Sequence, residues 1–437
     1  MNSLEYKLED PDEENLGNNK NKLSRFTKIF IAILIILIIL LIIAVMSILS
    51  FETNKIKELE NKIKELENKK NNEQEKIQKN DTNTIYIIKN ILYTNKDNKI
   101  INSFKNGGKN YIGEIGEINN GLDYEKTENN YYDLYIPQSA FLKKDKYNKI
   151  RLNIHGGAWL GGTKDDYYQS CIENSKNGFI CAAMEYTFIN KTRFGNVNIF
   201  RIVDEVMAVF DNIKLTLKNE GFDENKLEIC LIGGSAGAHI SLLYSYMVKD
   251  SSIPVKYIIN AVGPVTLEPQ YWIKLKNLDE PLDNIDEETV KKSIKENNTE
   301  SLYLLYNIIY LNGYVGKELI DDIIKMYDNN TNKINTESKE YQERLKIAKY
   351  GFPYRYVTKE SPPTLCLYGG IDLDIGLGHY YLLKSAFEKA LNPNIELIYS
   401  KYSSHDFLNP AKGNSKELME KFNSKINDYN NKYFSKD

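Results

Sequence analysis

Residues 227–237 read LEICLIGGSAG, an apolar run that passes directly into a glycine-rich turn around Ser235. The run is typical of a buried strand, and the residues that follow, 236–248, have the pattern of a helix. The pentapeptide GGSAG matches G-x-S-x-G, a strand-to-helix turn so tight that small residues must flank the serine. The turn lifts the hydroxyl above the sheet edge, beside a helix N-terminus that favours developing negative charge. This context disfavours an incidental serine and predicts Ser235 as a nucleophile.

The chain from Thr84 onward alternates short apolar runs with helical patterns, which favours a mostly parallel sheet covered by helices. The predicted strands are 84–93, 131–136, 149–154, 178–186, 226–232, 255–262, 363–369 and 394–400. The predicted helices are 196–219, 236–248 and 378–391. The pattern breaks at about 267–360, where a largely helical stretch intervenes. An insertion of that size is typical of a cap over the site, so 84–437 is predicted to be one α/β domain with a cap.

A second glycine-rich stretch, His155-Gly156-Gly157-Ala158-Trp159, follows the predicted strand 149–154 directly. A glycine pair at that place lets backbone N–H groups approach a substrate oxyanion with no Cβ in the way. The N–H of Ala236, next after the nucleophile, would form the second arm of this oxyanion hole. Taken alone, the stretch is equally compatible with an ordinary turn in a loop. Its position upstream of Ser235, at the end of a strand, favours the functional interpretation.

Four histidines are available as the base for the serine. His155 belongs to the glycine-rich loop, and His239 lies one turn after the nucleophile on the same helix, so its ring is expected to pack. His379 opens the helix after the candidate acid and is expected at the surface or facing the cap. His405 follows the last predicted strand in a polar loop, where a mobile imidazole is expected, and it is the predicted base.

The acid is expected in the loop after the predicted strand 363–369, where Asp372 and Asp374 are the two candidates. We favour Asp372 because it comes sooner after the strand end. An ionised carboxylate there would fix the imidazole tautomer of His405 and stabilise the imidazolium that forms during attack. Either aspartate could instead cap the helix that begins near Gly378.

An uncharged and almost wholly aliphatic run from Ile29 to Leu49 precedes this domain. As a helix it would be about 31 Å long, enough to cross the hydrocarbon core of a bilayer. A cleavable signal peptide would have a shorter apolar region and a small-residue cleavage site, which Ser50–Thr53 does not provide. Basic residues crowd the N-terminal flank. The positive-inside tendency therefore predicts a cytoplasmic tail over 1–28, a transmembrane helix over 29–50 and an extracytoplasmic C-terminal part.

The segment 51–83 is predicted to be a coiled-coil stalk and linker. The sequence NKIKELE occurs twice in succession over 54–67, with Ile at one heptad position and Leu at the other. This pattern favours a parallel two-stranded coiled coil and hence a homodimer, which membrane tethering would support by raising the local concentration. Two heptads are equally compatible with a single solvated helix held by Glu–Lys pairs.

The bulk composition gives few further limits. The chain has 437 residues, 42% of them hydrophobic, so it can bury a sizeable core. A net charge of −3, with Lys and Arg scattered among acids, disfavours nucleic acid as a partner. Cys230 and Cys366 lie in predicted strands, whereas Cys171 and Cys181 could pair, although their spacing does not demand it. No Cys/His cluster has metal-ligand spacing, so neither a metal nor a cofactor is predicted.

Together these motifs resemble the α/β-hydrolase superfamily, specifically the esterase and lipase branch that carries an HGGxW oxyanion loop and a GGSAG nucleophile elbow. The resemblance spans roughly 120–410 and implies the α/β-hydrolase fold. Further similar features are the YDLYIP stretch at 132–137, Glu185-Tyr186, Asp204 and the SPPT stretch at 361–364. The anchor, the stalk and the insertion at 267–360 match nothing in that branch.

The resemblance also implies an activity, because members of that branch hydrolyse carboxylic esters and some relatives act on formamides. The implied site residues are Ser235 as nucleophile, Asp372 as acid, His405 as base, and Gly156, Gly157 and Ala236 as oxyanion donors. The expected reaction is two-step acyl transfer on a small ester, with an amidase, formamidase or peptidase of the same fold as the alternative. A catalytically silent adhesion or scaffold ectodomain is the rival from another class. Candidates for an apolar substrate pocket are Trp159, Tyr271-Trp272 and 302–314, which are equally compatible with the core of the lid.

Overall fold

The computed structural model describes residues 84–103, 123–189, 197–268, 325–328, 333–372, 374–408, 410–411, 413 and 415–436. Its main sheet comprises β1 (Ile85–Leu92), β2 (Tyr131–Pro137), β3 (Asn148–Ile154), β4 (Ile180–Met184), β5 (Leu227–Gly234), β6 (Val255–Ala261), β7 (Thr364–Gly369) and β8 (Ile395–Ser400). The helices are α1 (Gln138–Phe141), α2 (Tyr168–Lys176), α3 (Ile199–Asn219), α4 (Ala236–Met247), α5 (Lys339–Ala348), α6 (Gly378–Lys389) and α7 (Ser415–Tyr433).

The eight strands lie in the order β1-β2-β4-β3-β5-β6-β7-β8. Strand β2 is antiparallel to both of its neighbours, β1 and β4. Every other pair in the sheet is parallel, so the prediction of a mostly parallel sheet is confirmed. Parallel strands end at one edge, and the loops after β3, β5, β7 and β8 therefore leave the sheet together at its carboxyl edge.

The central strands are buried almost along their whole length because helices cover both faces of the sheet. In β5 the residues from Leu227 to Leu231 are all buried, and β3 is buried at every residue except Lys149. A strand buried on both faces has a continuous apolar run instead of an alternating one. This explains why LEICLI was recognisable as a strand without any period of two.

Helix α3 packs on the sheet through one apolar stripe. The buried residues of that stripe include Ile199, Ile202, Val203, Val206, Val209, Phe210 and Ile213. The helix begins at Ile199, three residues later than predicted, because Asn198 is its N-cap: its Oδ1 accepts the N–H groups of Phe200 and Arg201, both at 3.1 Å.

A disulfide joins Cys171 in α2 to Cys181 in β4, with the two Cα atoms 5.3 Å apart. Both residues are buried, and Nδ2 of Asn153 on β3 lies 3.4 Å and 3.2 Å from the two sulfur atoms. Cys230 and Cys366 are free and buried. The pairing that the sequence left open is therefore present, and it ties helix α2 to the sheet.

The insertion at 267–360 is described only in part, because 269–324 lies outside the described residues. Its described part contains helix α5, four residues of paired strand (Tyr327–Asp328 with Lys333–Ile334) and short 3₁₀ turns. Leu267 and Met326, on either side of 269–324, are both buried in the main core. The cap itself stays a prediction.

The predicted tail, transmembrane helix and stalk over 1–83 also lie outside the described residues. Among the helices of the described part of the chain, none combines the length and the apolarity that a membrane span requires.

Candidate active site

Ser235 lies at the end of β5 and immediately before α4, with φ 51° and ψ −119°. A positive φ is uncommon for any residue other than glycine, and such strain persists only where the surroundings hold it. Here the N–H of Ser235 donates a 2.8 Å hydrogen bond to the carbonyl of Ala261, the last residue of β6. The turn predicted from GGSAG is thus a strained strand-to-helix turn, fixed against the neighbouring strand.

The two pattern glycines of this turn have no room for a side chain. A Cβ on Gly233 would lie 2.3 Å from backbone atoms of Gly237, and a Cβ on Gly237 would lie 2.0 Å from the carbonyl oxygen of Ile154. A Cβ on Gly234 would meet only the hydroxyl of Tyr167, at 3.8 Å. Close packing of the turn therefore requires glycine at 233 and 237, the two positions that the motif fixes. It leaves room for a side chain at 234.

The loops that carry the acid and base candidates are bonded to each other at the carboxyl edge. The N–H of Gly370 donates to the carbonyl of Ser400 at 2.9 Å, and the N–H of Ile371 donates to the carbonyl of Ser403 at 3.1 Å. Because β7 and β8 are adjacent parallel strands, these bonds continue the sheet for two residues into the loops. The backbone thereby sets the separation of the two side chains.

His405 and Asp372 are in direct contact. Nδ1 of His405 lies 2.9 Å from Oδ2 of Asp372, whose side chain is fully buried. The other oxygen, Oδ1, accepts the N–H groups of Asp374 at 2.8 Å and Ile375 at 2.9 Å. A carboxylate held in this way makes Nδ1 the donor, so Nε2 of the neutral ring is left as the proton acceptor.

The pKa of His405 is raised above its ordinary value of 6.5. Partial burial is the largest influence and alone would lower it, but the hydrogen bond and charge of Asp372, with smaller contributions from Asp374 and Asp406, outweigh that effect. The acidic carboxylates stabilise the imidazolium, which is the form that a general base reaches during attack. Because the pKa is higher in the folded state, protonation of His405 stabilises the folded protein. This contribution to the free energy of unfolding is fully present below pH 6.5 and is lost as the pH rises through the folded-state pKa.

Ser235 and His405 share no direct hydrogen bond in this described part of the structure. The structure brings two of the three predicted residues into contact and leaves the serine separate, as is common before a substrate binds. Asp374 is exposed but near: one of its oxygens lies within 4.8 Å of a ring nitrogen of His405 and of an Asp372 oxygen. The burial and direct contact of Asp372 favour it over Asp374 as the partner of the ring.

The glycine-rich loop after β3 lies directly against the nucleophile turn. A Cβ on Gly156 would lie 3.0 Å from the carbonyl oxygen of Gly234 and 3.4 Å from Cβ of Ser235. Gly157, Ala158 and Trp159 then follow with φ of 104°, 50° and 61°. Glycine at 156 therefore allows the backbone to approach the serine, which is the approach that an oxyanion hole requires.

The model of one protein family, BD-FAE, matches residues 132–387, more than half of the chain. The chain belongs to the BD-FAE family. This is a family of esterase domains with the hydrolase fold, so the predicted superfamily and the predicted class of enzyme, a carboxylic ester hydrolase, are both confirmed. A search of curated proteins found no match.

Several solved structures resemble the BD-FAE chain. A truncated carbohydrate esterase from gut microbiota is 13% identical, with 81% of this chain and 99% of that chain covered and a TM-score of 0.47. An esterase of the Planctomycetes species Thermogutta terrifontis is 16% identical, covering 74% and 92%, with a TM-score of 0.44. Esterase B from Lactobacillus rhamnosis is 11% identical, covering 85% and 93%, with a TM-score of 0.46. Identities this low say nothing about substrate.

The other histidines of the BD-FAE domain are buried. The expectation that His379 lies at the surface is wrong: it is 0% exposed, and its Nδ1 accepts the N–H of Val265 at 3.2 Å, while its alternative, that it faces the cap, stays a prediction. Helix α6 begins against the loop after β6, which places its first turn inside the core. Burial, with a smaller contribution from His239, lowers the pKa of His379 to about 3. Nε2 of His239 lies 2.8 Å from the carbonyl of Gly351, and burial lowers its pKa to about 4, in keeping with a packing role.

Trp159 is 4% exposed and belongs to the main core. Its ring packs edge-on against the ring of His239, with the centroids 5.3 Å apart. This contact ties the middle of the glycine-rich loop after β3 to helix α4, one turn beyond the serine. Its predicted contact with substrate stays a prediction, and the other pocket candidates, Tyr271-Trp272 and 302–314, lie outside the described residues.

One residue near the BD-FAE site received no role from the sequence. Glu185 follows β4 at the carboxyl edge. Its carboxylate contacts both ends of the glycine-rich loop after β3, at His155 and at Lys164. The available signal was an acidic side chain directly after a buried apolar strand, at the edge where ligands bind in parallel sheets. Sequence reasoning used Glu185-Tyr186 only as part of a family resemblance.

Proposed function

We propose that this BD-FAE chain is a membrane-anchored serine carboxylesterase in which Ser235, His405 and Asp372 form the catalytic triad. The observation that carries the proposal is the 2.9 Å contact between Nδ1 of His405 and Oδ2 of buried Asp372, at the same sheet edge as the strained turn of Ser235. That contact prepares Nε2 to accept a proton, and the turn presents a hydroxyl at a helix N-terminus.

In the proposed mechanism, Nε2 of His405 takes the proton of Ser235 Oγ while Oγ attacks the ester carbonyl carbon. The carbonyl oxygen becomes an oxyanion that accepts hydrogen bonds from the backbone N–H groups of Gly156, Gly157 and Ala236. The C–O bond to the alcohol then breaks, the alcohol leaves with the proton from His405, and an acyl-serine forms. Water attacks the acyl-serine with His405 again as base, which releases the acid and restores the serine.

A fluorophosphonate probe tests the proposed nucleophile. We expect the probe to attach to Ser235 of the wild-type chain and to leave the Ser235→Ala chain unlabelled, because only an activated serine reacts rapidly with it. Hydrolysis of a short-chain aryl ester should fall with labelling, whereas the matching aryl amide should be a poor substrate. Wild-type protein that stays unlabelled would sink the proposal, and faster cleavage of the amide would assign the chain to the amidases of this fold.

We further propose that Ile29–Leu49 anchors the chain in a membrane with the esterase domain outside the cytoplasm. The 21-residue apolar run and its basic N-terminal flank favour this orientation. The disulfide between Cys171 and Cys181 supports it independently, because disulfides persist in oxidising compartments and are rare in the cytosol. The heptads over 54–67 support a parallel dimer of the stalk between anchor and domain.

Protease added to intact cells tests this arrangement. We expect it to release the esterase domain by cutting in the linker before Thr84, and to leave a protected fragment that contains the anchor. Complete protection of the domain until the cells are lysed would reverse the proposed orientation.

The size of the full-length chain in detergent tests the dimer. We expect the wild-type chain to be a dimer and the Ile63→Lys variant, which places a charge in the apolar seam, to be a monomer. A monomeric wild-type chain would exclude the dimer.

A further inference from the structure

The loop that carries the glycine pair is held at both ends by one side chain, that of Glu185. Its Oε2 lies 3.2 Å from Nε2 of His155, at the start of the loop. Its Oε1 accepts hydrogen bonds of 3.0 Å from the backbone N–H of Lys164 and of 3.0 Å from the hydroxyl of Thr163, at the end of the loop. One carboxylate thus accepts two hydrogen bonds at the end of the loop and lies against His155 at its start.

Glu185 is itself fixed to the sheet. Its N–H donates a 2.9 Å hydrogen bond to the carbonyl of Tyr131 in β2, and its carbonyl accepts the hydroxyl of Tyr93 at 3.0 Å. The next residue, Tyr186, stacks on the ring of His155 with the centroids 4.3 Å apart, and its hydroxyl lies 3.1 Å from the carbonyl oxygen of His155. The support under the loop is therefore rigid.

The loop needs such support because its backbone is strained. Besides Gly157, the non-glycine residues Ala158 and Trp159 have positive φ, a conformation that persists only where the surroundings over-determine it. At the other end, a Cβ on Gly162 would lie 2.3 Å from Nδ1 of His155, so the loop closes tightly over this ring. Loss of the tie through Glu185 would let the backbone relax and move the oxyanion donors.

The carboxyl of Glu185 is held in its ionised form. Burial alone would raise its pKa, but the contact with His155 and the hydrogen bonds from Lys164 and Thr163 together hold the pKa below its ordinary value. An ionised carboxylate accepts stronger hydrogen bonds than a neutral group, which strengthens the bonds from Thr163 and Lys164 at the end of the loop.

We infer that Glu185 is a positioning residue that aims the N–H groups of Gly156 and Gly157 at the substrate oxyanion. The inference rests on the proposed function, since it presumes the oxyanion hole. Oxyanion donors act mainly in the transition state, so their misalignment lowers kcat and leaves KM nearly unchanged. Simple loss of packing would instead appear as a lower Tm.

The test compares Glu185→Ala, Glu185→Gln and the matched control Glu224→Gln, which removes a surface ion pair with Lys218. The readouts are kcat and KM for an aryl ester, Ki for a trifluoromethyl ketone, whose serine adduct carries an oxyanion, and Tm. We expect kcat to fall about 100-fold in Glu185→Ala, the effect of losing one oxyanion donor. In Glu185→Gln the fall should be smaller, because the amide oxygen can still accept the bonds from Thr163 and Lys164.

The inhibitor decides between positioning and structure. Across the series Ki should rise by the same factor as kcat/KM falls, while Glu224→Gln keeps all wild-type values. A folded Glu185→Ala with wild-type kcat/KM, or one that loses activity with Ki unchanged, overturns the inference. If the alanine variant does not fold, the same criteria apply to Glu185→Gln. Failure of the wild-type chain to label at Ser235 would instead refute the proposed function and the inference with it.

Discussion

Replacing His405 by alanine should lower kcat for a short-chain aryl ester by about 10⁶-fold, the loss seen when a triad base is removed. The imidazole is the proposed acceptor of the Ser235 proton, and without it the hydroxyl is a weak nucleophile. The ring is 32% exposed in a loop, so its removal should cost little stability, and Tm should stay within a few degrees of wild type. Initial rates and thermal unfolding of the two proteins measure both effects.

Two controls sharpen this experiment. Ser404→Ala alters the neighbouring side chain of the same loop and should keep wild-type rates. Imidazole added to the buffer should restore part of the activity of His405→Ala, because the vacated space beside Asp372 can accept the free base. A folded His405→Ala that hydrolyses the ester nearly as fast as wild type would remove this histidine from the mechanism.

Much of the fold follows from local sequence patterns. The eight predicted strands and three predicted helices all have counterparts in the described structure, with ends that differ by at most three residues. Strand β5 was recognisable because burial on both faces favours an apolar run such as ICLI at 229–232. The predicted start of α3 was three residues too early. Asn198, inside the predicted range, is the N-cap, and the helix begins only after it.

Features that depend on how elements pack against each other were harder to predict. The burial of His379 depends on how α6 packs against the loop after β6, which no local pattern encodes. The pairing of Cys171 with Cys181 requires that α2 lie over β4, so spacing alone left it open. The partner of His379 is more than one hundred residues away, whereas the two cysteines are only ten residues apart and depend on how consecutive elements pack.

Some residues of the candidate site could also be predicted from the sequence, whereas others could not. The placing of Asp372 beside His405 followed from chain order, since each comes directly after one of two strands that proved to be adjacent and parallel. The choice between Asp372 and Asp374 rested on distance from the strand end, whereas burial now favours the same residue. The role inferred for Glu185 needed coordinates, because its partners lie at both ends of a loop from another strand.

Replacing Asp372 by asparagine should lower kcat by about 10⁴-fold, the size of effect found when a triad aspartate loses its charge. The Asn oxygen can keep the N–H bonds from Asp374 and Ile375, but the amide NH₂ would then face Nδ1 of His405 and make it an acceptor. The proton of the neutral ring would move to Nε2, which can no longer take the proton of the serine. The fold should survive, because the substitution preserves shape.

The pH profile gives this variant a second readout. Wild-type kcat/KM should rise with pH along a limb set by the raised pKa of His405, above 6.5, because only the neutral ring acts as base. Removing the charge of Asp372 removes the main influence that raises this pKa and leaves the opposing effect of burial, so the limb should move to lower pH. Asp374→Asn removes a smaller influence and should move the limb slightly with little loss of rate. The residue that sets the tautomer of His405 should show the larger fall in kcat and the larger shift of the pH limb. If both were larger in Asp374→Asn than in Asp372→Asn, Asp374 would be the acid instead.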